Sequence, residues 1–356
     1  MSKALYNLVL NMSAGPTGLP PEVSARIKAD FGNSALGHLT LFEQSHRSHD
    51  FLEFASNFKS RMRQVFNVPE HFEILFFHGG ARAQMAAVPL NFYVPNKPGL
   101  YWKTGIWSKI AHDEAARFCP TELYKPFLHI EGAKDYSYAY YTDNETIDGT
   151  YSVPNILPGH HRVVVDMTSS ITAYPMHFNQ RDLIFFASQK ALGFPGLTVV
   201  FIKQDWLEQS VQTSATPSVL NYHLQQCNQS MLNTPVTISW ITAYYMLEWI
   251  AERGGLSWSI QQRNSLSKQF YTFLDNSPFY RAEVCAHKRS NVNIVFRTPS
   301  DDLDQKLCHF LEKNEIYGLK GHRLLGGLRA NFYVSFNENH LEKLIFYLKE
   351  FQDDYQ

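Results

Sequence analysis

Three short runs in the middle of the chain are apolar at nearly every position: Val163-Val164-Val165, Leu183-Ile184-Phe185-Phe186-Ala187 and Val199-Val200-Phe201-Ile202. A strand that faces water on one side alternates apolar and polar residues, whereas a run apolar on both faces needs cover above and below. These runs therefore constrain the chain to an α/β architecture, a largely parallel sheet with helices on both faces. Glu73 to Phe77 and Tyr136 to Tyr141 read as further strands of the same sheet.

The ends of these runs carry chemistry. Val165 is followed by Asp166, and Ala187 by Ser188-Gln189-Lys190. A lysine at one strand end and an acid at its neighbour's are what a pyridoxal phosphate site requires. The amine joins the cofactor aldehyde covalently, and the acid keeps the pyridine nitrogen protonated so that the ring accepts electrons. Strands often end in charged residues, so the pair needs company.

The chain's 356 residues allow two domains, and 44% hydrophobic with 14% aromatic content supplies a ring-rich core. Charged residues make up 18% with a formal net charge of -1, which argues against nucleic-acid binding or a polybasic membrane surface. Cys119, Cys227, Cys285 and Cys308 are far apart with no Cys-x-x-Cys, so reduced thiols are expected. His160 and His161 would diverge on a strand with no third ligand at suitable spacing, so no metal is expected. No signal peptide is legible, and no run approaches the roughly 20 apolar residues of a membrane span. A cytoplasmic protein is the expectation.

Pro16, Pro20 and Pro21 mark an extended N-terminal segment, and Val236 to Ile250 has helical spacing that stops near Gly254-Gly255. Beyond it the texture changes. Helices over Ser257 to Leu274, Asp301 to Asn314 and Glu338 to Phe351, with strands over Ala282 to His287, Asn291 to Phe296 and Arg329 to Ser335, predict a compact α+β lobe. The expected division is a large domain over residues 17–256 and a small one over 257–356, with residues 1–16 packing against it.

Strand Glu73 to Phe77 runs into His78-Gly79-Gly80-Ala81-Arg82-Ala83-Gln84 and a helix. Two glycines let backbone amides approach an anion at a helix N-terminus, and Arg82 could pair with a phosphate; the same turn also serves as a plain tight connection. The indole of Trp107, just inside a predicted helix, could stack on a flat ring or pack in the core. Asn144-Glu145-Thr146-Ile147-Asp148-Gly149 places a hydroxyl at a strand end, where ligands collect in open α/β sheets. Two basic clusters, Ser45-His46-Arg47 and Lys320-Gly321-His322-Arg323 with Arg329 beyond, suit a doubly acidic substrate; solvated surface arginines are the alternative.

Assembled, these residues resemble the class V pyridoxal-phosphate-dependent aminotransferases, in the branch that acts on phosphoserine. The resemblance runs from Asn11 to the final helix. It is carried by Ala14-Gly15-Pro16 with Leu19-Pro20, Ser45-His46-Arg47, His78 to Gln84 with Ala87-Val88-Pro89-Leu90-Asn91, and Asn144 to Gly149. Asp166 with Ser169-Ser170, Gln189-Lys190, Asn233-Thr234-Pro235 and Leu319 to Arg329 complete it. It implies a fold-type I enzyme with a mainly parallel seven-stranded sheet and a small C-terminal domain.

The resemblance also implies roles. Lys190 would carry the cofactor, Asp166 would pair with the ring nitrogen and Trp107 would stack on the ring. Ala81, Arg82, Thr146 and Gln189 would hold the phosphate and ring substituents, with Asn233 and Thr234 reaching the phosphate from the partner of a homodimer with shared sites. Arg329 would bind the substrate α-carboxylate, and His46 and Arg47 from the partner, with His322 and Arg323, would grip the distal anion. The implied reaction is a ping-pong transamination in serine biosynthesis: glutamate and 3-phosphohydroxypyruvate give 2-oxoglutarate and phosphoserine. A related phospho-oxo acid of vitamin B6 synthesis is also allowed. Ala191, Pro195, Tyr174 and Val334 depart from the family pattern. Two other readings are an aminotransferase drifted to another acidic keto acid and a non-catalytic binding protein on the same scaffold.

Overall fold

The computed structural model describes residues 9–34, 39–124, 135–154, 161–210 and 216–355. Its centre is a seven-stranded sheet built from β1 (Phe72–Gly79), β2 (Gly99–Trp102), β3 (Thr121–Tyr124), β4 (Tyr138–Thr142), β5 (Val163–Asp166), β6 (Leu183–Ala187) and β7 (Gly196–Lys203). The strands lie in the order β1-β7-β6-β5-β4-β2-β3. Every neighbouring pair is parallel except those made by β7, which runs against both β1 and β6. The mainly parallel seven-stranded sheet is thus present. β2 and β3, four residues each, are not legible in the sequence.

Burial on both faces explains the apolar runs. Val163, Val165, Ile184, Phe186, Val199 and Phe201 face one core, packed with α2 (His49–Phe66) and α5 (Thr237–Ala251). Val164, Leu183, Phe185, Val200 and Ile202 face the other, packed with α3 (Ala81–Phe92) and α4 (Ile106–Ala115). In α2, Phe51, Phe54, Phe58, Met62 and Val65 recur at helical spacing; Ser48 caps its start and Asn67, in the left-handed region, ends it. An N-terminal helix, α1 (Pro21–Ser34), adds Val23 and Ile27 to the first core.

A third core surrounds a three-stranded antiparallel sheet of β8 (Arg281–Ala282), β9 (Asn293–Arg297) and β10 (Leu328–Asn331). Leu266, Phe270 and Leu274 of α6 (Gly255–Asn276), Leu307 and Leu311 of α7 (Asp301–Lys313), and Leu344, Leu348 and Phe351 of α8 (Glu338–Tyr355) cover it. Leu10 and Met12 join this core, and Leu10–Asn11 pairs in parallel with Ile316–Tyr317.

Three element boundaries differ from expectation. The Gly254-Gly255 stop is a two-residue joint with φ of +108° and +70°, after which α6 starts at once. The strand expected over Ala282 to His287 ends at Ala282, and residues 286–288 form a 3-10 turn held by Arg289, whose Nε donates to the Val284 carbonyl. The strand expected over Arg329 to Ser335 ends at Asn331 because the fully buried Arg263 donates to the carbonyls of Phe332, Tyr333 and Phe336. Those carbonyls are therefore spoken for by a side chain instead of a ladder.

The turn after β4 ties the two sheets together. Asn144 Nδ2 donates to Ser169 Oγ at 2.8 Å and to Asn293 Oδ1 at 2.7 Å, while Asn293 Nδ2 donates to Asn331 Oδ1 at 2.7 Å. Ser290 N donates to the Gly149 carbonyl at 3.0 Å. Gly149 has φ +71°, and a Cβ there would lie 2.8 Å from both the Asn293 carbonyl and Val295 Cγ2. Gly149→Ala should therefore cost about 2 kcal/mol, read as a lowered melting temperature relative to wild type.

Candidate active site

Parallel strands deliver their C-terminal ends to one edge of a sheet, where ligands collect. Here β1 delivers His78 and Gly79, β4 the turn containing Thr146, β5 Asp166, and β6 the single helical turn Ser188–Ala191 that carries Lys190. Register aligns them: Asp166 stands opposite Thr142 on β4 and Phe185 on β6, and Gly79 stands opposite Gly196.

Lys190 Nζ donates to Thr146 Oγ1 at 2.5 Å. Burial pulls its pKa down from 10.5 to about 8, with Arg329 lowering it further and Asp166 and Glu145 opposing the fall. Asp166 is 4% exposed, and burial raises its carboxyl, opposed by hydrogen bonds from Thr168 and by the Lys190 charge. The Thr168 amide donates to Asp166 Oδ1 at 2.8 Å, leaving the other oxygen for a further partner. The Ala14-Gly15-Pro16 segment lies against the lysine turn: a Cβ on Gly15 would sit 3.4 Å from Lys190 Cγ, and Thr17 Oγ1 donates to the Lys190 carbonyl at 2.9 Å.

Arg329, on β10 and 8% exposed, donates from Nη1 to the Thr146 carbonyl at 2.9 Å. Burial lowers its pKa, and its Nε has no partner among the described residues. His322 sits where burial and the charges of Arg329 and Arg323 depress its pKa, while Arg323 is exposed.

The α3 N-terminus is open. Gly80 has no side chain to cap it, and no described atom lies within 4 Å of a Cβ placed on Gly79 or Gly80. Ala81 is half-buried and Arg82 exposed at its mouth. Nearby site groups His78 Nε2, Gln189 Oε1 and Trp107 Nε1 are buried without a hydrogen-bond partner among the described residues. Orphaned polar atoms beside bare amides and an amine of depressed pKa fit a flat, phosphorylated, aldehyde-bearing ligand.

Not every sequence candidate joins this group. Arg47 Nη2 donates to the Met231 carbonyl at 3.2 Å, which ties the Ser45-His46-Arg47 segment to the exposed Asn233 and Thr234. Among the described contacts, none of His46, Arg47, Asn233 and Thr234 hydrogen-bonds Lys190, Asp166 or Arg329 through its side chain. His160 lies outside the described residues, and among those described no three His, Cys, Asp or Glu gather as a metal site. Gln84 is taken up by Tyr222, whose hydroxyl donates to it at 2.5 Å. Of the departures, Ala191 is buried in the turn that carries Lys190, Tyr174 stacks on Tyr151 at 3.7 Å, Val334 is buried, and the Pro195 carbonyl accepts from Ser239. Sequence reading quoted Glu145 without giving it a role. Its partners are the amides of Trp107 and Ser108, far away along the chain.

The family model described as aminotransferase class-V matches residues 9–344, which is the class this fold and lysine–acid pair define. A phosphoserine aminotransferase of Pseudomonas putida is 36% identical over the full length of both chains. The solved phosphoserine aminotransferase of Bacillus circulans subsp. alkalophilus superposes with a TM-score of 0.92 at 31% identity, covering 98% of this chain and 99% of that one. A PLP-bound phosphoserine aminotransferase from Trichomonas vaginalis gives 0.88 at 30% identity, covering 96% and 100%. The chain belongs to the class-V aminotransferases and, within them, to the phosphoserine aminotransferase family.

Only the neutral amine attacks a carbonyl, so Lys190 should react with an aryl aldehyde, trapped by borohydride, with a rate that climbs with pH and half-saturates near 8. A midpoint near 10.5 would show an amine in an aqueous setting.

Proposed function

We propose that the chain is a pyridoxal-phosphate-dependent transaminase that moves an amino group from glutamate to 3-phosphohydroxypyruvate, giving 2-oxoglutarate and the phosphoserine of serine biosynthesis. The observation that carries this reading is Lys190: a half-buried amine with its pKa drawn to about 8, held by Thr146 and set against the buried Asp166. When bound, pyridoxal phosphate supplies a reactive aldehyde and a ring that accepts electrons.

The chain's residues do the rest. Asp166 would pair with the ring nitrogen and keep a proton there, and Trp107 would offer a flat apolar face. The Gly80 and Ala81 amides, with Arg82, take the phosphate, while Thr146 and Gln189 meet the ring substituents. Lys190 Nζ, as a free neutral amine, would take the proton from the substrate Cα and hand it to the cofactor's aldehyde-derived carbon; an ammonium could not. Arg329 binds the α-carboxylate. Two acid groups on each substrate fit one clamp, so His322 and Arg323 receive the distal phosphate or carboxylate.

The exposed cluster of His46, Arg47, Asn233 and Thr234 completes the site of a second copy in a homodimer. Its support is the Arg47–Met231 bond, which joins the segment of His46 and Arg47 to the one that leads into the exposed Asn233 and Thr234. The division near residue 257 is supported by the separate core of the small sheet, with residues 17–256 holding the cofactor and 257–356, joined by 9–16, forming the small domain, while residues 1–8 of that division lie outside the described residues. We place the protein in the cytoplasm, on its unpaired cysteines; among the described residues no helix is long and apolar enough to cross a membrane.

Purified protein loaded with cofactor should change its visible absorbance on addition of phosphoserine far more readily than with aspartate or alanine. A preference for either of those would point to a drifted keto-acid specificity instead. Lys190→Ala should abolish the change and lower kcat by about 10^3-fold or more. Arg47→Ala should raise KM for phosphoserine at least tenfold (~1.4 kcal/mol) while leaving cofactor affinity unaltered. An unchanged KM would remove that arginine from the clamp.

A further inference from the structure

Glu145 is 1% exposed, yet it carries a carboxylate. Oε2 accepts from the Trp107 amide at 2.7 Å, and Oε1 accepts from the Ser108 amide at 2.9 Å and from Thr104 Oγ1 at 3.1 Å. Those amides belong to the first turn of α4, whose N-cap residue, Gly105, has no side chain. An acid from another segment therefore does the work of the missing cap, satisfying two orphan donors and complementing the helix dipole.

Gly105 is the counterpart of this arrangement. A Cβ there would lie 2.5 Å from Glu145 Cγ, 2.6 Å from its Cδ and 2.7 Å from Asp148 Oδ2. Its φ of -177° is ordinary extended backbone, so the requirement for glycine is one of space. Asp148 is the second acid at this place, and burial together with the Glu145 charge raises its carboxyl to about 7. Asp148 thus keeps its proton longer, while amide and hydroxyl donors oppose the rise on Glu145.

The neighbouring contacts make the cap consequential. The Trp107 indole N–H finds no partner among the described residues, so no side-chain hydrogen bond fixes the ring, which is held by its packing and by the backbone that carries it. The next residue, Thr146, holds Lys190 Nζ with its hydroxyl and Arg329 with its carbonyl. One dipeptide thereby touches the elements that carry the aromatic face, the amine and the guanidinium.

We propose that Glu145 is a positioning residue that sets the Trp107 ring at the correct height and angle over the cofactor, through the α4 N-terminus and in register with Lys190. This rests on the transaminase reading above. Glutamine at 145 keeps the volume but offers one acceptor where the carboxylate offers two, setting an NH2 against an N–H. Alanine at 105 disturbs the same contact from the opposite side.

The test compares wild type, Glu145→Gln and Gly105→Ala. Hydrogen exchange across residues 105–109 is first measured on cofactor-free protein. Pyridoxal phosphate is then added, and its affinity, visible circular dichroism, kcat and KM are read. Both variants should exchange about tenfold faster at Trp107 and Ser108, bind the cofactor about tenfold more weakly and show reduced dichroism (each tenfold is ~1.4 kcal/mol). The fall in kcat should exceed any change in KM for glutamate. In a Trp107→Ala background, Glu145→Gln should add little further loss of cofactor affinity, as expected for coupled residues.

Unchanged exchange would overturn the cap. Faster exchange with wild-type dichroism and affinity, or full additivity with Trp107→Ala, would overturn the positioning role. Failure of wild type to take up cofactor would instead strike the transaminase reading, leaving the exchange result to judge the cap alone.

Discussion

Lys190 and Asp166 oppose one another's desolvation at the ends of adjacent strands. Bringing the lysine from 10.5 to about 8 corresponds to roughly 3 kcal/mol of disfavoured charge. Asp166 offsets part of that penalty and is itself raised by the same dryness. The balance leaves an amine whose pKa is about 8 beside a buried acid whose rise the amine's charge restrains. Neither property survives if the two groups drift apart, so the sheet must hold them rigidly.

It does so through packing on both faces. Val163, Val164 and Val165 alternate between two cores, as do the residues of β6 and β7, which fixes register because a slip by one residue would exchange the faces. The second sheet is coupled to this frame by the Asn144–Asn293–Asn331 amide chain and by Arg329 on Thr146. The Arg329 guanidinium and the Lys190 amine are thus both tied to Thr146.

Much of this was legible before any coordinates. The apolar runs announced buried parallel strands, and Lys190, Asp166, Thr146 and Arg329 do converge. What escaped depends on distance along the chain. Arg263 ends a strand by taking the carbonyls of residues about seventy positions away, and nothing local to Phe332 or Tyr333 reveals it. The role of Glu145 is hidden for the same reason, because Gly105 reads as an unremarkable turn glycine until its neighbour in space is known. The basic cluster around His46 could be identified by composition. Its place outside the Lys190 cavity of its own chain could be expected only through the family resemblance.

The single reversed strand has a mechanical consequence. Because β7 runs against β6, residues 188–195 form a short hairpin connection between two interior strands in place of a crossover helix. Gly193, at φ +107° with Thr242 Cγ2 2.4 Å from where a Cβ would stand, leaves that hairpin no slack. Loops elsewhere in the molecule can lengthen by several residues and still close, whereas an insertion here would have nowhere to bulge. The lysine loop is a segment whose length, as much as its composition, the fold constrains.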